Sequence, residues 1–158
     1  MSNAPATRIP MPMLLFHARA TYIAAMRTAL IGAGYDDIPR KGVHVIGVLA
    51  HHDQPSPLAR LIDELRLSKQ AAGQLADALV NGGYIERNVD PGDRRKLNIA
   101  LTDRGRAAAR TLVDAHQSVD AKLLALAGPA NLECTRQTLF LLGSIDQTSS
   151  RNSSQEAP

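Results

Sequence analysis

Tryptophan is absent from this 158-residue chain, aromatic residues make up 3% of it, and there is a single cysteine, Cys134. With so few rings, a core must be built from Leu, Ile, Val and Ala, within a hydrophobic fraction of 44%. That inventory suits packed helices better than a β-sandwich. One thiol excludes an internal disulfide and fits a reducing compartment, so a cytoplasmic location is expected. Long apolar runs are lacking too. The stretch from Ile9 to Phe16 is interrupted by Pro10 and Pro12 and leads into His17 and Arg19, which is too short to span a membrane and lacks the apolar core of a signal segment. Also missing are a Gly-rich phosphate loop ending in Lys-Ser/Thr, a Gly-x-Ser-x-Gly elbow, and carboxylates at a workable catalytic spacing. The expectation is a single compact domain plus ends that is not an enzyme, carries no cofactor and meets no membrane.

What is present is a local excess of positive charge. Between Arg66 and Arg110 nine Lys/Arg stand against five Asp/Glu, a net +4 that leaves −1 for the rest of a chain whose total is +3. A charge cluster alone is usually a solvated face. This one coincides with a turn, Asp90-Pro91-Gly92-Asp93, followed by Arg94, Arg95 and Lys96, and that coincidence points to nucleic acid.

The periodicity supplies the framework. Residues 1–12 read as a flexible arm. From Met13 to Ile31 the apolar residues Leu15, Tyr22, Ile23, Met26 and Leu30 recur at helical spacing until Gly32 and Gly34. Asp36-Asp37-Ile38-Pro39 starts a second helix running to about His51, with Gly42 and Gly47 weakening it by roughly 1 kcal/mol each relative to Ala. Gln54-Pro55-Ser56-Pro57 is a turn, and Ser56 is a helix start for Leu58, Leu61, Ile62 and Leu65. Ser68 caps a helix from Lys69 to Asn81, which Gly82-Gly83 closes through positive φ. Residues 84–87 and 96–101 form a hairpin, with Leu97, Ile99 and Leu101 alternating inward. Thr102 caps a long helix that Gly128-Pro129 stops, a last helix covers about 130–144, and the Ser/Gln/Asn-rich tail 147–158 is expected to be disordered.

Helix, turn, helix and basic hairpin, in that order, is the layout of a winged helix-turn-helix. The fold class expected is mainly α (α+β), with flanking dimerisation helices and a two-stranded β-wing. The segments are an N-terminal dimerisation helix at 13–35, the DNA-binding domain at 36–101 and C-terminal dimerisation helices at 102–146. The end helices have apolar faces, which either fold back on their own domain or, more economically, meet a second copy. In the 69–81 helix, Ala71, Leu75, Ala78 and Leu79 are placed on the core side. Lys69, Gln70, Gly73, Asp77 and Val80 lie opposite, with Gln74 at the edge. Lys69 and Gln70 occupy the first turn, where base edges are met, and Gln can pair two-pronged with adenine. Gly73 either lets the backbone approach the groove closely or is a tolerated substitution. Arg94, Arg95 and Lys96 suit a narrow, electronegative minor groove, and Asp93 can hold the Arg95 guanidinium in a set direction.

Leu67-Ser68-Lys69-Gln70, Leu75 and Leu79, Gly83-Tyr84-Ile85-Glu86-Arg87, Asp93-Arg94-Arg95 and Leu101-Thr102-Asp103-Arg104-Gly105 together resemble the multiple-antibiotic-resistance-regulator (MarR) family over roughly residues 58–105. The Asp-x-Arg followed by Leu-Thr-x-x-Gly is the specific part. The resemblance implies a homodimeric, ligand-responsive transcriptional regulator, usually a repressor, on a pseudopalindromic operator in double-stranded DNA. It makes Asp93 and Arg95 the wing pair, and Ser68, Lys69, Gln70 and Gln74 the recognition-helix contacts. The Ala71-Ala72-Gly73 run departs from relatives with polar residues there and puts the number of base contacts in doubt. The resemblance also implies an effector pocket for aromatic acids or phenolic compounds, with Phe16, His17, Tyr22 and His44 as candidate lining residues; residues of each type are more often simple packing residues.

Two other features carry less. His44, His51 and His52 lack Cys or carboxylate partners at ligand spacing, Asp53 excepted, so no metal site is expected. Cys134 lies in the last helix, whereas redox-sensing members of the resembled family place theirs near the first, so it reads as a buried or interfacial thiol. The rival readings are a winged helix that binds protein, and a non-specific architectural DNA binder. A high affinity ratio between cognate and random duplex separates the regulator from both.

Overall fold

Two prolines open helix α1, Met11–Gly32, at positions where they do no harm. Pro10 is its N-cap and Pro12 lies in the first turn, where no backbone N–H is needed within the helix and the fixed φ is already helical. The computed structural model describes residues 8–51, 56–57, 67–89 and 97–152. The expected arm at 1–12 is thus cut short by a helix that starts at Met11. Helix α2, Arg40–Ala50, follows Pro39 and buries Val45, Ile46 and Leu49. The predicted helix over residues 58–65 lies outside the described residues.

Residues 56 and 57, read from the sequence as a turn and helix start, form a two-residue strand instead. This β1, Ser56–Pro57, joins a hairpin made of β2, Ile85–Val89, and β3, Leu97–Leu101, in the antiparallel order β1-β3-β2. Proline is tolerated there because β1 is at the sheet edge. The wing strands pair Ile85 with Leu101, Arg87 with Ile99 and Val89 with Leu97. That register sends Ile85, Ile99 and Leu101 into the core, as the period-2 alternation requires. Between β1 and β2 in the chain runs α3, Lys69–Asn81.

Helix α4 spans Asp103–Ala127 and α5 spans Pro129–Asn152. Gly128, at φ 77°, makes the turn between them. The predicted disordered tail at 147–158 begins too early, because the α5 backbone stays helical to Asn152. No Gly or Pro follows Gly143 until Pro158, and adding a turn to an existing helix costs far less than starting one.

The chain divides into two units, Met1–His116 and Gln117–Pro158, with the division inside α4. The core belongs to the first: Leu30, Ile38, Val45, Ile46, Leu79, Tyr84, Ile85 and Ile99 are essentially inaccessible. Each such aliphatic side chain contributes about 1.5–3 kcal/mol on burial. Every buried residue of α4, from Gly105 to Ala115, precedes the division. Among the described residues no helix is long and apolar enough to cross a membrane.

Candidate nucleic-acid interface

Ser68 starts α3 by the means its sequence suggests. With extended backbone angles, it accepts a hydrogen bond from the Ala71 amide through Oγ at 3.2 Å, satisfying one of the first-turn donors. At the other end Gly83, at φ 72°, takes the left-handed turn, while Gly82 keeps a right-handed conformation. Gly82 is small for a different reason: a Cβ there would stand 2.9 Å from the Tyr84 ring.

The buried face of α3 is Ala72, Ala76 and Leu79, not the predicted set of Ala71, Leu75, Ala78 and Leu79. Ala71 and Leu75 are half-buried on its flank and Ala78 is exposed. The phase is decided by α2, which crosses close to it: a Cβ on Gly42 would lie 2.9 Å from Leu79 Cδ2. The small residue at the close approach is Gly42 itself, which faces Leu79, and Leu75 lies half-buried to the side. Gly42, costly to an isolated helix, is thereby explained by packing.

The outer face that results carries Lys69, Gln70, Gln74, Asp77 and Ala78, all exposed, with Gly73 half-buried among them. Nothing lies within 4 Å of a Cβ built on Gly73. Gly73→Ala is therefore expected to raise the unfolding free energy by about 1 kcal/mol and, if this face enters a DNA groove, to weaken duplex binding. Chemical denaturation beside a binding titration checks both halves; a stabilised variant with unchanged affinity would leave the glycine without an interface role.

Positive charge is less freely available than the sequence count suggests. Arg87 on β2 pairs with Asp77 of α3 at 2.7 Å, tying the wing to the helix. Arg106 pairs with Asp103 at 2.6 Å and donates to the Leu101 carbonyl at 2.5 Å. Arg104 lies 3.4 Å from Asp37. Of the five clustered cations among the described residues, Arg87, Arg104 and Arg106 are thus engaged within the protein. Lys69 is exposed in the first turn of α3. Asp93, Arg94, Arg95 and Lys96 lie outside the described residues.

The roots of the two wing strands meet at one junction. The Thr102 amide donates to the Tyr84 carbonyl at 3.1 Å. Its hydroxyl donates to the Gly83 carbonyl at 2.5 Å and accepts from the Gly105 amide at 3.0 Å, capping α4. Beside this lies a polar cluster that sequence spacing did not reveal. The buried Tyr84 hydroxyl donates to Asp37 and accepts from Arg104 at 2.9 Å. The Arg104 guanidinium lies 4.8 Å from the Tyr84 ring centre and 5.7 Å from that of Tyr35. The Tyr84 hydrogen bond, followed by a hydrogen bond to the Asp37 backbone and by Arg104, holds Asp37 below the usual carboxylate range against desolvation. Burial, followed by the bond to Asp37, raises the Tyr84 phenol. The cluster thus keeps a neutral tyrosine between a carboxylate and a guanidinium.

The four candidate effector residues lie on two helices, Phe16, His17 and Tyr22 on α1 and His44 on α2. Phe16 and His17 stand edge to face at 5.6 Å on α1, both exposed. Tyr22 meets His116 of α4 at 5.9 Å instead, and His44 is exposed on α2. His116 was not singled out in the sequence, although it follows the buried Leu112 by four residues on one helix. A cleft of about 380 Å³ within the second unit is lined by Asp120, Leu124, Leu132 and Arg136, among others, and by none of the four.

A helix capped at its exposed first turn, followed by a ribbon rooted on a helical body, defines a winged helix-turn-helix protein. Residues 36–96 match the profile described as MarR family, so this winged-helix segment is similar to the domains of that family. The fold as a whole is similar to that of solved MarR-type regulators. One is FabT of Streptococcus pneumoniae in complex with DNA, at 22% identity and TM-score 0.74, covering 87% of this chain and 96% of that one. Another is the S. aureus MepR–DNA complex, at 20% identity and TM-score 0.71, covering 87% and 98%. A third is MarR, at 18% identity and TM-score 0.72, covering 92% and 96%. At these identities the likeness is one of fold. No curated protein sequence matches the chain.

Proposed function

We propose that this chain is a sequence-specific, DNA-binding transcriptional regulator that works as a homodimer and represses from a pseudopalindromic operator. The observation that carries the reading is the exposed, Ser68-capped first turn of α3, with Lys69 and Gln70 on it and Gln74 one turn further along, within a segment that matches the MarR family. Solved relatives of the same fold, FabT and MepR, are complexes with DNA. In this reading Ser68 serves mainly to build the helix end, Lys69, Gln70 and Gln74 meet the major groove, and Asp93, Arg94, Arg95 and Lys96 meet the flanking minor groove.

Dimerisation is supported by apolar surface that the single chain leaves open. Phe16 and Met11 on α1 are 66% and 54% exposed, and Leu126, Phe140, Leu141 and Ile145 of the second unit are 87%, 78%, 64% and 61% exposed. Apolar surface on this scale marks an interaction site, and a two-fold pairing places two recognition helices for two half-sites about one helical turn apart. The effector response follows from the family likeness: a small aromatic or phenolic ligand would shift the balance between two dimer geometries and so change the spacing of the recognition helices.

The test is a titration of the purified protein against its own upstream intergenic DNA, with random duplex as competitor. Binding that survives competitor is expected, and Arg95→Ala is expected to weaken it at least about tenfold, the loss of one good groove contact, without unfolding the protein. Binding that collapses in competitor or modest salt would replace the regulator with an architectural or protein-binding module.

A further inference from the structure

The polar junction at the wing root reaches further than the wing. Arg27, in the second half of α1, donates to the Ile38 carbonyl at 2.8 Å and to the Asp36 carbonyl at 3.3 Å. Those two residues bracket Asp37, whose carboxylate accepts from Tyr84 and Arg104. Tyr84 is the residue before β2, and its own carbonyl takes the amide of Thr102, the residue after β3. Arg104 is in the first turn of α4. A continuous series of hydrogen bonds thus joins α1, the loop after it, both wing strands and the start of α4. These partners are 47, 20 and 67 residues apart along the chain. Tyr84 is 1% exposed, and its hydroxyl touches two charged groups. Ring packing alone would be served by phenylalanine, so the hydroxyl has a separate use.

We propose that Asp37, Tyr84 and Arg104 are positioning residues for duplex binding, fixing the wing root to the loop after α1 so that a displacement of α1 is passed to the wing. This rests on the reading of the chain as a DNA-binding regulator. It gives that reading a physical route from a helix with exposed apolar residues to the basic ribbon. Coupling of this kind travels through packed side chains and hydrogen-bond networks with few alternative arrangements, and a network of charged and neutral partners in a partly buried site is cooperative.

Two measurements on the full-length protein test it. In the first, amide exchange is followed in wild type, Tyr84→Phe, Asp37→Ala and Asp37→Asn. Tyr84→Phe and Asp37→Ala are expected to speed exchange about tenfold in the strands Ile85–Val89 and Leu97–Leu101, while α2 and α3 keep their protection. Asp37→Asn retains an acceptor for the tyrosine hydroxyl and is expected to restore most of it. In the second, operator affinity is measured with and without Arg95→Ala. Tyr84→Phe is expected to cost about fivefold in the otherwise wild-type chain and close to nothing in the Arg95→Ala background, the non-additivity of residues acting through one element.

Equal losses in the two backgrounds, unchanged wing exchange, or faster exchange across the whole first unit would each overturn the proposal. If the wild-type chain binds no duplex specifically, the regulatory reading falls and takes the DNA role of the three residues with it. The exchange measurement then still decides whether they lock the wing root: unchanged strand exchange removes the lock, and faster exchange confined to the strands upholds it.

Discussion

Gly105→Ala is expected to lower the unfolding free energy by about 3 kcal/mol or more, the upper end of what forcing extra atoms into closed packing costs. A Cβ at that position would lie 2.0 Å from the Tyr84 carbonyl oxygen, 3.0 Å from its carbon and 3.1 Å from Leu101 Cδ2. Flexible side chains can move aside, but this neighbour is backbone. Its carbonyl is held by the Thr102 amide, while the Thr102 hydroxyl is held by Gly83 and Gly105. Relief therefore requires moving the wing root or the first turn of α4. The helix propensity of alanine returns only about 1 kcal/mol. Against a typical stability of about 5–15 kcal/mol, the loss should be plain in a urea titration. A variant within about 1 kcal/mol of wild type would show that α4 is free to back away from Tyr84. The same geometry gives the Leu-Thr-x-x-Gly pattern its physical meaning: threonine caps the helix and ties the strand ends, and glycine makes room for the carbonyl between them.

The second large effect concerns assembly. Phe140 and Ile145 are 78% and 61% exposed, so glutamate at both positions costs an isolated chain little. In a dimer joined through α5, the same substitutions bury carboxylates without partners, at several kcal/mol each. Phe140→Glu with Ile145→Glu is expected to leave helix content unchanged and to weaken dimerisation by a factor on the order of a thousand or more, read by sedimentation across protein concentration. Operator affinity should fall with it, because a monomer meets one half-site. A double variant that remains dimeric would move the joint away from α5.

Local chemistry was legible in the sequence wherever one residue type decides the outcome. Ser68 and the Gly82-Gly83 pair bound α3 at Lys69 and Asn81, the limits observed, and Gly128-Pro129 separates the last two helices as expected. What a neighbour decides was not legible. The buried face of α3 is Ala72, Ala76 and Leu79, and its phase depends on how α2 crosses it, with Gly42 admitting Leu79 at close range. The prolines at 10 and 12 signal a break in isolation and a first turn in context. Polar composition after Gln147 suggested disorder, but helix continuation needs only the absence of a breaker. The cluster of Asp37, Tyr84 and Arg104 spans most of the winged-helix segment, and no spacing rule brings such distant residues together. Its one local sign was a tyrosine beside two glycines in a chain with three tyrosines.

The short strand β1 has a consequence for behaviour at high concentration. It forms one border of the sheet, is two residues long, and ends in Pro57, opposite Asn98. Proline has no amide hydrogen to offer an incoming strand, and two residues give too little length for a stable ladder. The other border, β2, exposes Glu86, Arg87 and Asn88, whose charged and amide groups oppose stacking of like strands. Neither border is a ready template for fibril-like growth. A protein that leaves so much aliphatic surface open on its helices is thereby guarded against the less specific, open-ended form of self-association.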